Sequence, residues 1–171
     1  TFDNIVDFAR LGEGGVLPRP IIAPAAEMLQ PVVADFARDA QKRGIAFRYV
    51  PCSAAIETDP ILLQRILRQL LGNALRFGAG PTGKVLLGAR RKENCLRLIV
   101  ADSGIGVPAD HASAIFDPFV QLDAGRASGG LGLGLAIAQK LARLLRTEIG
   151  LRSSVGRGSQ FWIDVKLAPS R

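Results

Sequence analysis

Five side chains hold most of the chemistry open to this chain. Gln69, Asn73, Arg76 and Phe77 recur at i, i+4, i+7 and i+8, so on a helix they share one face. Asn73 offers an amide oxygen to a hard cation, and Gln69 ends in the same group. Arg76 offers a charged fork to a phosphate, and Phe77 a flat surface to an aromatic base. A solvated polar face would carry the same residues, so the helix alone leaves both readings open. The fifth side chain is Asp102, in "VADSGIGVP", where a predicted strand ends and turns through glycines. An ionised carboxylate is a pure acceptor, suited to an exocyclic amine. Gly104 and Gly106, on either side of Ile105, let backbone approach a flat ring. A plain strand-to-helix turn with Asp as its cap is the alternative.

A third stretch, "GGLGLGLAI" (residues 129–137), opens a predicted helix, and such a start favours an anion. It is no dinucleotide fingerprint. Gly130, Gly132 and Gly134 read G-x-G-x-G and follow a loop rather than a strand. Nor is it a P-loop, since no Lys-Ser or Lys-Thr pair occurs in the chain. A hinge without a ligand fits the glycines equally well. Before it, "AGRASGG" has the composition of a lid. "FDPF" places two phenylalanines around a turn as a hydrophobic anchor, and "GRGSQF" reads as a hairpin turn.

These pieces need elements to hold them. The strongest predicted helix runs from Asp59 to Phe77. Asp59 is its N-cap and Pro60 suits its first turn, while Leu63, Leu67, Leu70, Leu71 and Ala74 form its apolar stripe. "AAEMLQPVVADFARDAQKRG" predicts a second helix that stops at Gly44, with Pro31 requiring a kink or a late start. Leu131–Leu145 predicts a third, and "HASAIF" a short one. "RPIIAP" and "IAFRYV" predict strands. "KVLLGARR" with "CLRLIVAD", and "TEIGLRSS" with "SQFWIDVKL", predict two local hairpins. Hairpins without βαβ crossovers indicate an α+β fold, a two-layer sandwich of a mostly antiparallel sheet with three main helices on one face.

The 171 residues suit one domain with a short appendage, and 48% hydrophobic content allows a proper core. The apolar runs are too short or too charged to cross a membrane. A net charge of +7 fits nucleic acid, a polyanionic nucleotide or an acidic partner. The basic residues are scattered along the sequence, and one Trp and one Tyr make few stacking platforms, which counts against nucleic acid. Cys52 and Cys95 are far apart, without His neighbours, and read as buried reduced thiols rather than a metal site.

In order, the Asn helix, D-x-G-x-G, F-x-P-F, G-x-G-L-G-L-A-I and G-x-G-[ST]-x-F resemble the catalytic, ATP-binding domain of bacterial sensor histidine kinases. Here they read "RQLLGNALRF", "DSGIG", "FDPF", "GGLGLGLAI" and "GRGSQF". The resemblance implies the Bergerat-type ATP-binding fold shared with gyrase-type, chaperone and mismatch-repair ATPases. It implies that Asp102 takes the adenine amino group and that Gly104, Ile105 and Gly106 shape the base pocket. Asn73 would help hold Mg²⁺, with Gln69 in the place of the family's first Asn. Arg76 stands where a phosphate-binding Lys is common, and Phe77 flanks the nucleotide. Gly130, Leu131, Gly132, Leu133 and Gly134 would line the triphosphate, and Ser159 stands where Thr is common near adenine. The resemblance also divides the chain. Residues 1–13 read as the end of an upstream dimerisation helix and linker, and residues 14–168 as the ATP-binding domain.

The implied function is transfer of the γ-phosphoryl group of Mg-ATP to a histidine on a dimerisation domain absent from this chain. The parent would be homodimeric and would pass the group to a response regulator receiver domain. Residue 1 is Thr, which reads as a fragment of a longer protein. The segment is expected in the cytoplasm, without direct membrane contact and without nucleic acid, whether or not the parent is membrane-anchored. His111, the one histidine, reads as a surface residue rather than the phosphoacceptor. A non-catalytic nucleotide-binding or docking module, motivated by Gln69 and Arg76, and a chaperone-type ATPase are the competing readings.

Overall fold

The structure is a computed structural model that describes residues 2–78, 82–122 and 132–169. Its centre is the helix α3 (Pro60–Phe77). Asp59 caps it, accepting from the backbone N–H groups of Ile61 and Leu62, and also from Arg19 N–H at 2.8 Å. Two otherwise orphaned helix donors and one linker donor are thus satisfied by a side chain only 8% exposed. All five residues of the expected stripe are buried, joined by Leu62, Ile66 and Leu75.

Helix α2 (Ala25–Lys42) packs beside α3. It takes Pro31 in its interior rather than starting late, giving up the bond from residue 31 to the Glu27 carbonyl. It ends on Gly44, at φ +68°, with Gly44 N–H bonded to Gln41 O and Ile45 N–H to Ala40 O. Helix α4 (Gly134–Leu144) packs along α3 and starts later than expected, so Gly132 and Leu133 lie ahead of it. Gly132 is at φ +71°, outside helical geometry, and this corrects the expected start at Leu131. "HASAIF" is likewise not one helix, but two single turns of tighter 3-10 helix, Ala109–His111 and Ala114–Phe116.

Opposite the helices lies a five-stranded sheet. Its strands are β2 (Ala46–Tyr49), β4 (Lys84–Arg91), β5 (Cys95–Asp102), β7 (Gly158–Lys166) and β6 (Ile149–Ser154), adjacent in that order. Only β2 and β4 pair in parallel. The α+β sandwich is therefore the expected one, with one addition. β3 (Ala55–Thr58), unread in the sequence, pairs antiparallel with β1 (Ile21–Pro24) as a separate two-stranded sheet.

Residues alternate across the main sheet. Val85, Leu87, Leu96, Leu98, Val100, Phe161, Ile163 and Val165 are buried under the helices. The other face holds Arg48, Lys84, Arg90, Arg97 and Arg152, so cations dispersed along the sequence gather there. Arg97 is held by both oxygens of Asp164 and lies 4.7 Å from the centre of the Trp162 ring.

Helix α1 (Phe2–Gly12) packs on α4. The Lys140 ammonium sits 4.0 Å from the centre of the Phe8 ring, and Asp7 pairs with Arg65 at 3.4 Å. Cys52 and Cys95 are free thiols, but half-buried rather than buried as expected. Among the described residues no helix is long and apolar enough to cross a membrane.

Because Asp59 serves three backbone donors at once, Asp59→Ala is expected to destabilise the fold by about 2 kcal/mol. Urea unfolding followed by circular dichroism measures the loss. A shift no larger than that of an exposed-surface alanine control contradicts the role.

Candidate functional site

Three elements converge above the end of β5. Helix α3 ends at Gly78, whose N–H returns to Ala74 O. A Cβ added to Gly78 would lie 2.3 Å from the Asp102 Cβ, and one on Gly104 would lie 2.3 Å from the Gly78 Cα. Contacts this short admit no side chain, so two glycines bring the end of α3 against the turn after β5. The face bearing Asn73, Arg76 and Phe77 is thereby set beside Asp102.

The turn itself is stitched to the far hairpin. Gly156 N–H bonds to Ile105 O at 2.9 Å, and Val107 N–H bonds to the Ser153 hydroxyl at 2.7 Å. Gly106, at φ +72°, passes so close to Ser154 that an added Cβ would meet its carbonyl oxygen at 2.1 Å.

Between these elements lies a cavity of about 310 Å³. Gln69, Asn73, Arg76, Phe77, Asp102, Ile105, Gly106, Gly132, Leu133, Gly134 and Ser159 all line it. Gly104 does not, because it is spent on the contact with Gly78. Gly130 and Leu131 lie outside the described residues, as does the expected lid segment. Gly72, Val107, Ile115, Val120, Leu122, Leu135 and Phe161 complete the apolar part of the wall; of these Phe161 belongs to the "GRGSQF" motif, and none carries an expected binding role. Asn4 of α1 also reaches the cavity, 65 residues from Gln69, with no local sequence signal to mark it.

The chemistry differs from end to end. At one end the Asp102 carboxyl is held above the usual aspartate range, first by burial. The N–H groups of Gly104 and Ser159 favour its charged form and partly offset that. Gly104 N–H meets Asp102 Oδ1 at 3.0 Å. At the other end α4 begins at Gly134, without a side-chain cap. The first intrahelical bond in its opening turn comes from Ile137 N–H to Leu133 O, so the N–H groups of Gly134, Leu135 and Ala136 have no acceptor within the helix, the arrangement that favours an anion. Gln69 Oε1 lies 3.0 Å from the point a Gly134 Cβ would occupy, bringing its amide to that helix start. Arg76 lies along the edge of the same wall, its guanidinium carbon 5.2 Å from the centre of the Phe77 ring.

Of the two "FDPF" phenylalanines, Phe116 is the anchor, meeting the buried Phe161 edge-on at 6.2 Å. Phe119 departs from the expected anchor role. It sits at φ +65°, 63% exposed, with its N–H on Gly132 O and its ring 6.5 Å from Phe8. His111 is half-exposed beside Asp110, at 3.1 Å, and does not line the cavity.

No group of three or more His, Cys, Asp or Glu side chains is placed to hold a metal among the described residues. Gln69 and Asn73, one turn apart on the same wall, supply two amide oxygens instead. That set fits Mg²⁺ bound chiefly through phosphates and water, since this ion keeps most of its own ligands.

A family model described as "Histidine kinase-, DNA gyrase B-, and HSP90-like ATPase" matches residues 58–169. The chain is 33% identical over 177 residues to the sensor protein GacS of Pseudomonas syringae pv. syringae, covering 99% of this chain and 20% of that protein. It is 32% identical over 173 residues to the signal transduction histidine-protein kinase BarA of Escherichia coli K12, covering 96% and 19%. The chain thus spans about a fifth of the length of these relatives. Among solved structures, full-length ShkA in complex with AMPPNP superposes with a TM-score of 0.78 at 30% identity, covering 98% of this chain and 36% of that one. The catalytic domain of histidine kinase ThkA shares the fold, with a TM-score of 0.75 at 23% identity, over 88% of this chain and 99% of that one.

The Asp102 shift has a definite sign. Its folded value lies above its unfolded value, so the folded state binds the proton more tightly. Stability therefore falls as pH rises from the ordinary aspartate range through the raised value. Asp102→Asn should remove that part of the fall, leaving a shallower dependence of the urea midpoint on pH above the ordinary aspartate range. Identical pH profiles for the two proteins would contradict the assignment.

Proposed function

Because the chain belongs to the histidine kinase-, DNA gyrase B- and HSP90-like ATPase family, and its relatives include named sensor histidine kinases, we propose that it binds Mg-ATP in this cavity and donates the γ-phosphoryl group to a histidine outside the chain. The observation that carries the proposal is the shared cavity. An acceptor for an amine, an aromatic wall, two amide oxygens and an open helix start surround one space.

Each part has a task. Asp102 accepts from the adenine amino group, and Phe77 and Ile105 flank the base. The N–H groups at the start of α4, with Gly132 ahead of them, meet the phosphates. Arg76 adds a cation beside them. The amide oxygens of Asn73 and Gln69 would hold Mg²⁺, which would supply charge neutralisation at the phosphates. Transfer forms a bond from an imidazole nitrogen to the γ-phosphorus. It breaks the bond from that phosphorus to the β–γ bridging oxygen, which leaves with its electron pair on ADP. The imidazole proton passes to a base outside this chain. The domain positions the nucleotide and stabilises charge, with no covalent step of its own.

In this reading residues 1–13 end an upstream dimerisation helix, and the phosphorylated histidine then serves a receiver domain. That α1 reaches the cavity through Asn4 supports a functional tie between the two parts. The placement of Gln69 beside Gly134 favours a working metal site over a degenerate docking module.

Isothermal titration with a non-hydrolysable ATP analogue and Mg²⁺ tests the proposal. Binding is expected, and Asp102→Asn should weaken it about tenfold to a hundredfold, the range for a lost hydrogen bond to a charged group. Folded protein that fails to bind at millimolar analogue would overturn the reading. Steady ATP turnover by the chain alone would favour a chaperone-type ATPase instead.

A further inference from the structure

Ser153 lies on β6, outside the cavity, and its hydroxyl is fully committed. It donates to Gly158 O at 2.9 Å and accepts from Val107 N–H at 2.7 Å. The Ser159 hydroxyl lies 2.8 Å away. A carbonyl oxygen can only accept, so Ser153's single proton goes to Gly158. The proton between the two hydroxyls must then come from Ser159. With that proton spent, Ser159 Oγ faces the cavity with lone pairs alone.

Ser159 is only 7% exposed, and it pairs directly with Asp102 across β5 and β7. This end of the cavity therefore presents two acceptors side by side, the Asp102 carboxylate and the Ser159 hydroxyl oxygen. We infer that Ser153 is a positioning residue for base specificity, locking the Ser159 hydroxyl as an acceptor so that the site takes a purine with an amino group there and rejects one with a carbonyl. The inference rests on the nucleotide reading above and concerns a residue that does not itself touch the base. A 6-amino group can fill both acceptors directly or through a water. A 6-oxo group sets lone pairs against lone pairs; the N1–H that accompanies it can meet only one of the two acceptors, and a buried polar group left unpaired is costly. In the Ser153→Ala protein the Ser159 hydroxyl is released to rotate and donate, so it can meet a carbonyl as well as an amine.

ATP and ITP differ at this position by amino against oxo and share the triphosphate, which makes them the probes. Their dissociation constants with Mg²⁺ are to be measured for the wild type, Ser153→Ala and Ser153→Thr. The wild type should prefer ATP by at least a hundredfold. Ser153→Ala should lower the ATP-to-ITP preference about tenfold, mainly by improving ITP, and Ser153→Thr should restore it by returning the hydroxyl. A merely structural loss would weaken both nucleotides alike. A preference unchanged in Ser153→Ala, with ATP still bound, overturns the inference and leaves the nucleotide site standing. Failure of the wild type to bind either nucleotide removes the site itself. Should Ser153→Ala not fold, a wild type without preference between ATP and ITP overturns the inference alone, and Ser159→Ala serves as the second variant. It removes the acceptor directly and should lower the same preference.

Discussion

The site depends on one close approach. The end of α3 and the turn after β5 meet where neither chain carries a side chain, at Gly78 and Gly104, with Asp102 between them. The contact does two things at once. It sets one face of α3 beside the Asp102 carboxyl, and it holds that carboxyl partly out of water. An alanine at Gly104 would push against backbone rather than the end of a flexible side chain, so the elements would have to part. The cavity exists because they do not.

Around that contact the molecule separates core from site by residue face. On α3, Leu63, Leu67, Leu70 and Leu71 point into the sandwich, while Gln69, Asn73 and Arg76 line the cavity. On β5, Val100 is buried and Asp102, two residues on, is at the site. The same helix and strand thus provide stability with one set of residues and chemistry with another. Hydrogen bonds from the β6–β7 hairpin then fix the turn beside Asp102.

Much of this was legible because the signals are local. The Asp59-Pro60 start, the leucine stripe and the i, i+4, i+7, i+8 face of α3 each sit within one helix. The hairpins announce themselves by alternation. What escaped the sequence is non-local or weakly patterned. "AIET" is too short and mixed to declare β3, which exists by pairing with β1. Gly132 looks like the interior of a helix until its positive φ excludes it. Asn4 reaches the cavity through the packing of α1 on α4. Ser153 is an unremarked strand serine whose weight comes from three hydrogen bonds across separate segments. Gly104 acts on the cavity at one remove, by meeting the end of α3 rather than by lining the wall.

A crystal structure of the protein with a non-hydrolysable ATP analogue and Mg²⁺ tests the central claim most directly. The adenine amino group is expected within hydrogen-bond distance of Asp102, and the phosphates at the start of α4, with Asn73 on the metal side. A nucleotide bound elsewhere, or one in this cavity with its base at Gly134 and its phosphates at Asp102, would contradict it.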